Sequence, residues 1–183
     1  MKIIKNRQSI RLKKYDYSQS GLYFVTVCTE DRKCIFGSIV GARCDAPDEK
    51  IYMELNRYGL IIKNVLESLS KHHPVELDIF QIMLNHIHMI LILLNITGRS
   101  RPTPTYKSTF KPTLGFIVGM FKTECTAQIN KLRNTPGQKI FQRNYYEHII
   151  RNENDLNKIR EYIINNPLMW ERDRNNPKFK KSD

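Results

Sequence analysis

Apolar positions along the 183-residue chain switch between a two-residue and a three-to-four-residue period, which predicts strands interleaved with amphipathic helices. Gly21 opens a β-branched and aromatic stretch, LYFVTVCT, with Tyr23, Val25 and Val27 on one face and Leu22, Phe24 and Thr26 on the other. Both faces are largely apolar, as in a central strand. Residues 38–50 turn to Gly, Asp and Pro and predict a loop, and the apolar piece at 51–53 beyond it suggests an antiparallel hairpin. Leu60, Ile61, Val65, Leu66 and Leu69 then recur at helical spacing, predicting a helix over 56–70 that ends before Pro74. Strands are expected at 75–83 and 87–94, with 84–86 at or near their connection, and a second helix at 113–132 buries Leu114, Ile117, Val118, Phe121 and Cys125. After a turn at Pro136–Gly137 and an apolar piece at 139–142, a third helix starts near Asn154 and stops at Pro167, because the residue before proline resists helical geometry. Helices and hairpin strands in this order predict an α+β fold, a central antiparallel sheet with helices packed on one face.

The length favours a single domain, residues 1–183, with a basic N-terminal arm (1–20) and a flexible internal loop (95–112) that sets Gly98, Pro102, Pro104 and Pro112 among Ser, Thr, Arg and Lys. Lys and Arg total 30 against 18 Asp and Glu, so the formal charge is +12, the footprint of a polyanionic partner, either nucleic acid or an anionic membrane surface. The longest apolar run, 87–94, is too short to span a bilayer, and MKIIKNRQSIRLKK has no continuous apolar core or cleavage site. A cytoplasmic protein without a membrane partner is therefore expected. Cys28, Cys34, Cys44 and Cys125 form no C-x-x-C pair and are read as reduced thiols, mostly small core residues. His72 and His73, beside Pro74, are read as surface residues. Phosphate-loop, dinucleotide, serine-hydrolase and zincin motifs are absent.

Three constellations could carry chemistry. His86-Ile87-His88 places two imidazoles on the same side of a strand, where they can share a divalent cation or simply hydrogen-bond each other. Tyr162 and Asn166 lie one helical turn apart at the border of the Leu156, Ile159 and Ile163 stripe, presenting a phenol, a potential nucleophile, beside an amide oxygen, a hard metal ligand. The phenol equally suits amphipathic packing. The run from Phe141 to Arg151 mixes Arg143, Tyr145, Tyr146 and Arg151, a composition that suits single-stranded nucleic acid or a solvated loop before a helix. Lys122, on the second helix, could reach a phosphate or lie on a polar face.

Together these pieces resemble the single-tyrosine HUH transposases, in particular their REP-associated tyrosine transposase branch. The family's M-P-N-H-x-H strand motif appears as Met83-Leu84-Asn85-His86-Ile87-His88, with Leu84 replacing the proline of the turn, and Y-I-x-x-N-P is matched throughout by Tyr162-Ile163-Ile164-Asn165-Asn166-Pro167. The opening S-I-R-L-K-x-Y-D-Y-S, the stretch 21–37, the segment P-T-L-G-x-I-x-G-x-F-K ending in Lys122, and N-Y-Y-E-H-I-I-R are also similar, so the likeness runs from about Ser9 to Trp170.

The resemblance implies a ferredoxin-like βαββαβ core with the histidines on a central strand and the tyrosine on a following helix. It implies Mg²⁺ or Mn²⁺ held by His86, His88 and Asn166, Tyr162 as nucleophile, and cleavage and rejoining of single-stranded DNA near hairpin-forming repeats through a 5′-phosphotyrosine. Arg7, Arg11, Lys13 and Lys14 of the arm, together with Lys122, Arg143, Tyr145, Tyr146 and Arg151, would then grip the strand, and the protein would act as a monomer or homodimer. The rival expectations are a non-catalytic hairpin DNA or RNA-binding module derived from a transposase, and a metal-dependent nuclease that uses water.

Overall fold

The computed structural model describes residues 15–41, 51–95 and 112–179. Arg7, Arg11, Lys13 and Lys14, and nearly all of the 95–112 loop, lie outside the described residues. Four strands, β1 (Gly21–Cys28), β4 (Val75–Ile82), β5 (His86–Leu93) and β6 (Tyr146–Ile150), form one antiparallel sheet in the order β4-β5-β1-β6. The remaining two, β2 (Gly37–Val40) and β3 (Tyr52–Leu55), pair as the antiparallel hairpin expected around the 38–50 loop.

Helix α1 (Arg57–His72) begins where the Asn56 side chain accepts the free N–H groups of Tyr58 and Gly59. Helix α2 (Leu114–Arg133) begins likewise at Thr113 and ends at Asn134, which adopts the left-handed conformation (φ 54°) common just past a helix. Helix α3 (Glu153–Asn165) is capped by Asn152, and Pro167 stops it close to the expected position. The element order β1-α1-β4-β5-α2-β6 is the βαββαβ arrangement, with β1 and β5 paired at the centre.

The alternation read in the sequence decides what each face buries. Tyr23, Val25 and Val27 of β1 and Ile87, Met89, Leu91 and Leu93 of β5 pack beneath Ile62, Leu66 and Leu69 of α1 and Ile117, Phe121 and Cys125 of α2. Both core helices thus lie on one face, as expected. Helix α3 does not join them: Ile163, with Leu156 and Ile159, packs on Phe24, Ile90 and Ile150 across the opposite face. Because β1 and β5 are apolar on both sides, each face needs cover, and a helix following the edge strand β6 reaches the uncovered one.

Three local expectations are corrected. The run 141–151, for which a solvated loop before a helix is one reading, instead contains β6, whose Tyr146 pairs with Thr26 and Ile150 with Leu22, while Phe141 is buried and bridges Thr29. His73 is buried, because Pro74 turns the chain directly into β4 and folds the ring under Phe116 of α2. Among the described cysteines only Cys125 is in the core; Cys28 is half-buried and Cys34 is exposed, and Cys44 lies outside the described residues.

Candidate active site

β5 begins at His86, one residue earlier than expected, with His88 inside it as expected, and both side chains are fully buried on the face covered by α3. Two residues apart on one strand, their rings converge until Nε2 of one lies 3.0 Å from Nε2 of the other. His88 stands opposite Thr26 of β1, whose Oγ1 lies 2.8 Å from the His88 Nδ1.

Asn85 determines how His86 presents itself. Its Nδ2 donates to the backbone carbonyls of Arg32 (2.9 Å) and Asn175 (2.8 Å), so its Oδ1, 2.9 Å from the His86 Nδ1, can only accept. The proton of neutral His86 is therefore on Nδ1, and Nε2 turns its lone pair inward. The turn that carries Asn85 forms without the family's proline: Met83 N–H donates to His86 O, and the Leu84 carbonyl accepts from Ile35 and Phe36.

Burial pushes the His86 imidazole down to about 4, with Asp173 and Asn166 pulling the other way, and burial together with the neighbouring His86 lowers His88 well below the usual histidine range. Both rings are thus neutral in the folded chain at neutral pH. The unfolded chain takes up protons near its ordinary histidine pKa of about 6.5, so this contribution to stability is complete above about pH 6.5 and declines as pH falls toward His86's depressed value. The metal-free protein is expected to lose melting temperature over that interval, and a His86→Asn/His88→Asn variant should show a flatter profile; identical profiles would contradict the assignment.

Tyr162 reaches the pair from α3. Its hydroxyl lies 3.3 Å from the His88 Nε2, and its ring packs edge-on against Phe24 and His88. The residue is 44 % exposed, so the phenol joins the buried imidazoles to the surface. Burial raises its pKa, with Asp173 adding to the shift and Arg174 and the Asn166 amide opposing it. The phenol of the metal-free protein therefore holds its proton more tightly than usual. Helix α3 is fixed by paired side chains: Arg160 forks onto Asp78 of β4, and His148 of β6 meets Asp155 at 2.9 Å.

Asn166 and a segment beyond it close the site. Asn166 is buried, and no hydrogen bond to its Oδ1 is found among the described residues. Past Pro167 the chain folds back over the start of β5. Trp170 stacks on the His86 ring with centroids 6.1 Å apart, and Asn175 offers its carbonyl to Asn85. Asp173, which no sequence signal singled out, is 7 % exposed and brings Oδ2 to 3.6 Å from the His86 Nε2. One ligand atom each from His86, His88 and Asp173 lie within 4.8 Å of one another. Two imidazoles and two buried oxygens without donors suit a cation in their midst, and the mixture of imidazole with carboxylate and amide oxygen is compatible with Mg²⁺ or Mn²⁺.

The remaining expected contact residues divide. Tyr146 is exposed on the α3 face beside Phe24, with the Arg174 guanidinium 5.5 Å above its ring, which brings it to the border of the site. Tyr145 packs instead against the core under α1 and α2. Arg143 and Arg151 are exposed. The Lys122 ammonium donates to the backbone carbonyls of Gln142 (2.5 Å) and Arg143 (3.0 Å), tying α2 to the segment before β6.

No protein-family model matches the chain. An "Uncharacterized protein" of Haemophilus influenzae is 38 % identical over 178 residues, covering 93 % of both chains. A second Haemophilus influenzae protein, named "Putative REP-associated tyrosine transposase", is 26 % identical over 158 residues, covering 84 % of this chain and 73 % of its own. The solved structure of a REP-associated tyrosine transposase bound to a REP hairpin superposes with a TM-score of 0.50 at 17 % identity, over 88 % of this chain and 74 % of that one. The chain is thus similar to a putative REP-associated tyrosine transposase in sequence and shares the fold of a solved one. This similarity supports a transposase-like function. Among the described residues no helix is long and apolar enough to cross a membrane.

Proposed function

We propose that this protein is a REP-associated tyrosine transposase that cleaves and rejoins single-stranded DNA beside a hairpin, with Tyr162 as nucleophile. The observation that supports this most is the placement of the Tyr162 hydroxyl 3.3 Å from the His88 Nε2, within a buried cluster that suits a divalent cation. His86, His88 and Asn166 would hold Mg²⁺ or Mn²⁺, which supplies positive charge to polarise the scissile phosphate and offset the charge that develops on it.

The phenol oxygen bonds to phosphorus as the bond to the 3′ oxygen breaks. The phenol gives up its proton, the leaving oxygen gains one, and the products are a 5′-phosphotyrosine and a free 3′-hydroxyl. Attack by a 3′-hydroxyl on the phosphotyrosine reverses these changes and rejoins DNA without ATP, because the covalent link retains the energy of the phosphodiester. The raised pKa of the phenol fits a nucleophile that is activated only once the phosphate and cation are in place.

The test is incubation of the full chain with a 3′-labelled single strand containing a hairpin, with Mn²⁺, followed by a denaturing gel. A labelled band that migrates with the protein supports transesterification. Cleavage without that band supports a water-using nuclease, and neither supports a binding module.

The surroundings of the site carry two lesser predictions. Asp78→Ala frees Arg160 and one end of α3, and since displacement by about 1 Å can cost a hundredfold in rate, cleavage should fall roughly ten- to a hundredfold while the melting temperature changes little. Unchanged cleavage would show that the ion pair does not position Tyr162. Lys13→Ala/Lys14→Ala should weaken strand binding and lower the slope of log affinity against log salt by about one for each phosphate that is no longer neutralised. A slope equal to wild type would remove these lysines from the interface.

A further inference from the structure

The geometry points to Asp173 as an additional, anionic ligand of the metal site, supplied by the segment that folds back after α3. This rests on the reading of His86, His88 and Asn166 as cation ligands. Those three groups are neutral, and the chain carries a formal charge of +12, with Arg174 adjacent in sequence to Asp173. A dication buried among neutral ligands lacks compensating charge, which is expensive in a water-poor site. Asp173 provides that charge.

Three observations carry the assignment. First, the carboxylate is divided in its duties: Oδ1 accepts the Asn175 backbone N–H at 2.6 Å, whereas Oδ2 is buried and no hydrogen bond to it is found among the described residues. Second, Oδ2 faces the His86 Nε2 at 3.6 Å, and Asn85 forces the proton of neutral His86 onto the other nitrogen. A lone pair facing a carboxylate is repulsive, and a cation between them turns both contacts attractive. Third, the returning segment is fastened where a ligand would need to be held. Asn85 bonds the Asn175 carbonyl, Arg32 donates to the Arg174 carbonyl at 2.7 Å, and Asn176 donates to the Trp170 carbonyl at 3.0 Å. One residue, Asn85, thereby orients both His86 and the segment that carries Asp173, so two ligands from distant parts of the chain share a support.

Trp170 is the sole tryptophan of the chain and stacks on His86, so its emission reports on the site without DNA or turnover. The test is a titration of the full chain with Mn²⁺ alone, followed by tryptophan fluorescence, for wild type, Asp173→Asn and Asn176→Ala. Asp173→Asn keeps an oxygen to accept the Asn175 N–H and removes the charge; Asn176→Ala loosens the segment and keeps the carboxylate. Wild type should give a saturable change, and Asp173→Asn should shift its midpoint upward by about 10–100-fold, well beyond any shift in Asn176→Ala. Equal midpoints for wild type and Asp173→Asn, or equal shifts in the two variants, would overturn the assignment. No saturable change in wild type would overturn it together with the metal reading, whereas a failure of the DNA adduct assay with the titration intact would touch only the nucleophile.

Discussion

Tyr162→Phe is expected to abolish covalent capture of DNA and to lower strand cleavage by about a thousandfold or more, the scale of losing a nucleophile that acts as a unit with its site. The substitution removes one oxygen and leaves the ring, which can still pack edge-on against Phe24 and His88. The hydroxyl meets the His88 Nε2 at 3.3 Å, so the stability change should stay within about 1 kcal/mol, the worth of one hydrogen bond. Cleavage and thermal stability should therefore separate cleanly. An adduct that survives the substitution would move the nucleophile elsewhere, with the exposed Tyr146 at the border of the site as first candidate.

His86→Ala should be nearly as severe for activity and more costly for the fold. It removes one of the two facing imidazole nitrogens, leaves Asn85 Oδ1 without the proton it accepts, and takes away the ring under Trp170. A buried acceptor stripped of its partner costs about 1–3 kcal/mol, and the small cavity adds to this. Mn²⁺-dependent cleavage should fall by about a thousandfold, equivalent to roughly 4 kcal/mol of lost transition-state stabilisation. Cleavage assays with and without Mn²⁺, beside melting curves, distinguish this from simple unfolding. A folded His86→Ala protein that retains Mn²⁺-stimulated cleavage would exclude His86 from the metal site.

Much of this architecture can be read from periodicity. The strict alternation in β1 and β5 assigns Tyr23, Val25 and Val27 to one face, and the same period of two puts His86 and His88 on one side of a strand. The four-residue spacing of Tyr162 and Asn166 likewise anticipates that they approach the site from one helix. Local pattern does not say which face a helix covers. The stripe of α3 predicts burial, but its place opposite α1 and α2 follows from where β6 joins the sheet. Nor does composition reveal that Lys122 meets two backbone carbonyls, or that Tyr145 and Tyr146 part company at the start of an edge strand and face opposite sides. Asp173 was the least legible. It follows Pro167, outside any periodic element, and reaches His86 on a segment held by long-range contacts, among them the hydrogen bond that joins Asn85 and Asn175, 90 residues apart.

The most direct test of the central claim is mass spectrometry of the protein after incubation with a hairpin-bearing single strand and Mn²⁺, followed by digestion and mapping of the modified peptide. A mass gain equal to the fragment downstream of the break, located on Tyr162 and absent from Tyr162→Phe, is expected. Cleaved DNA with unmodified protein, or the same mass gain on another residue, would contradict Tyr162 as the nucleophile.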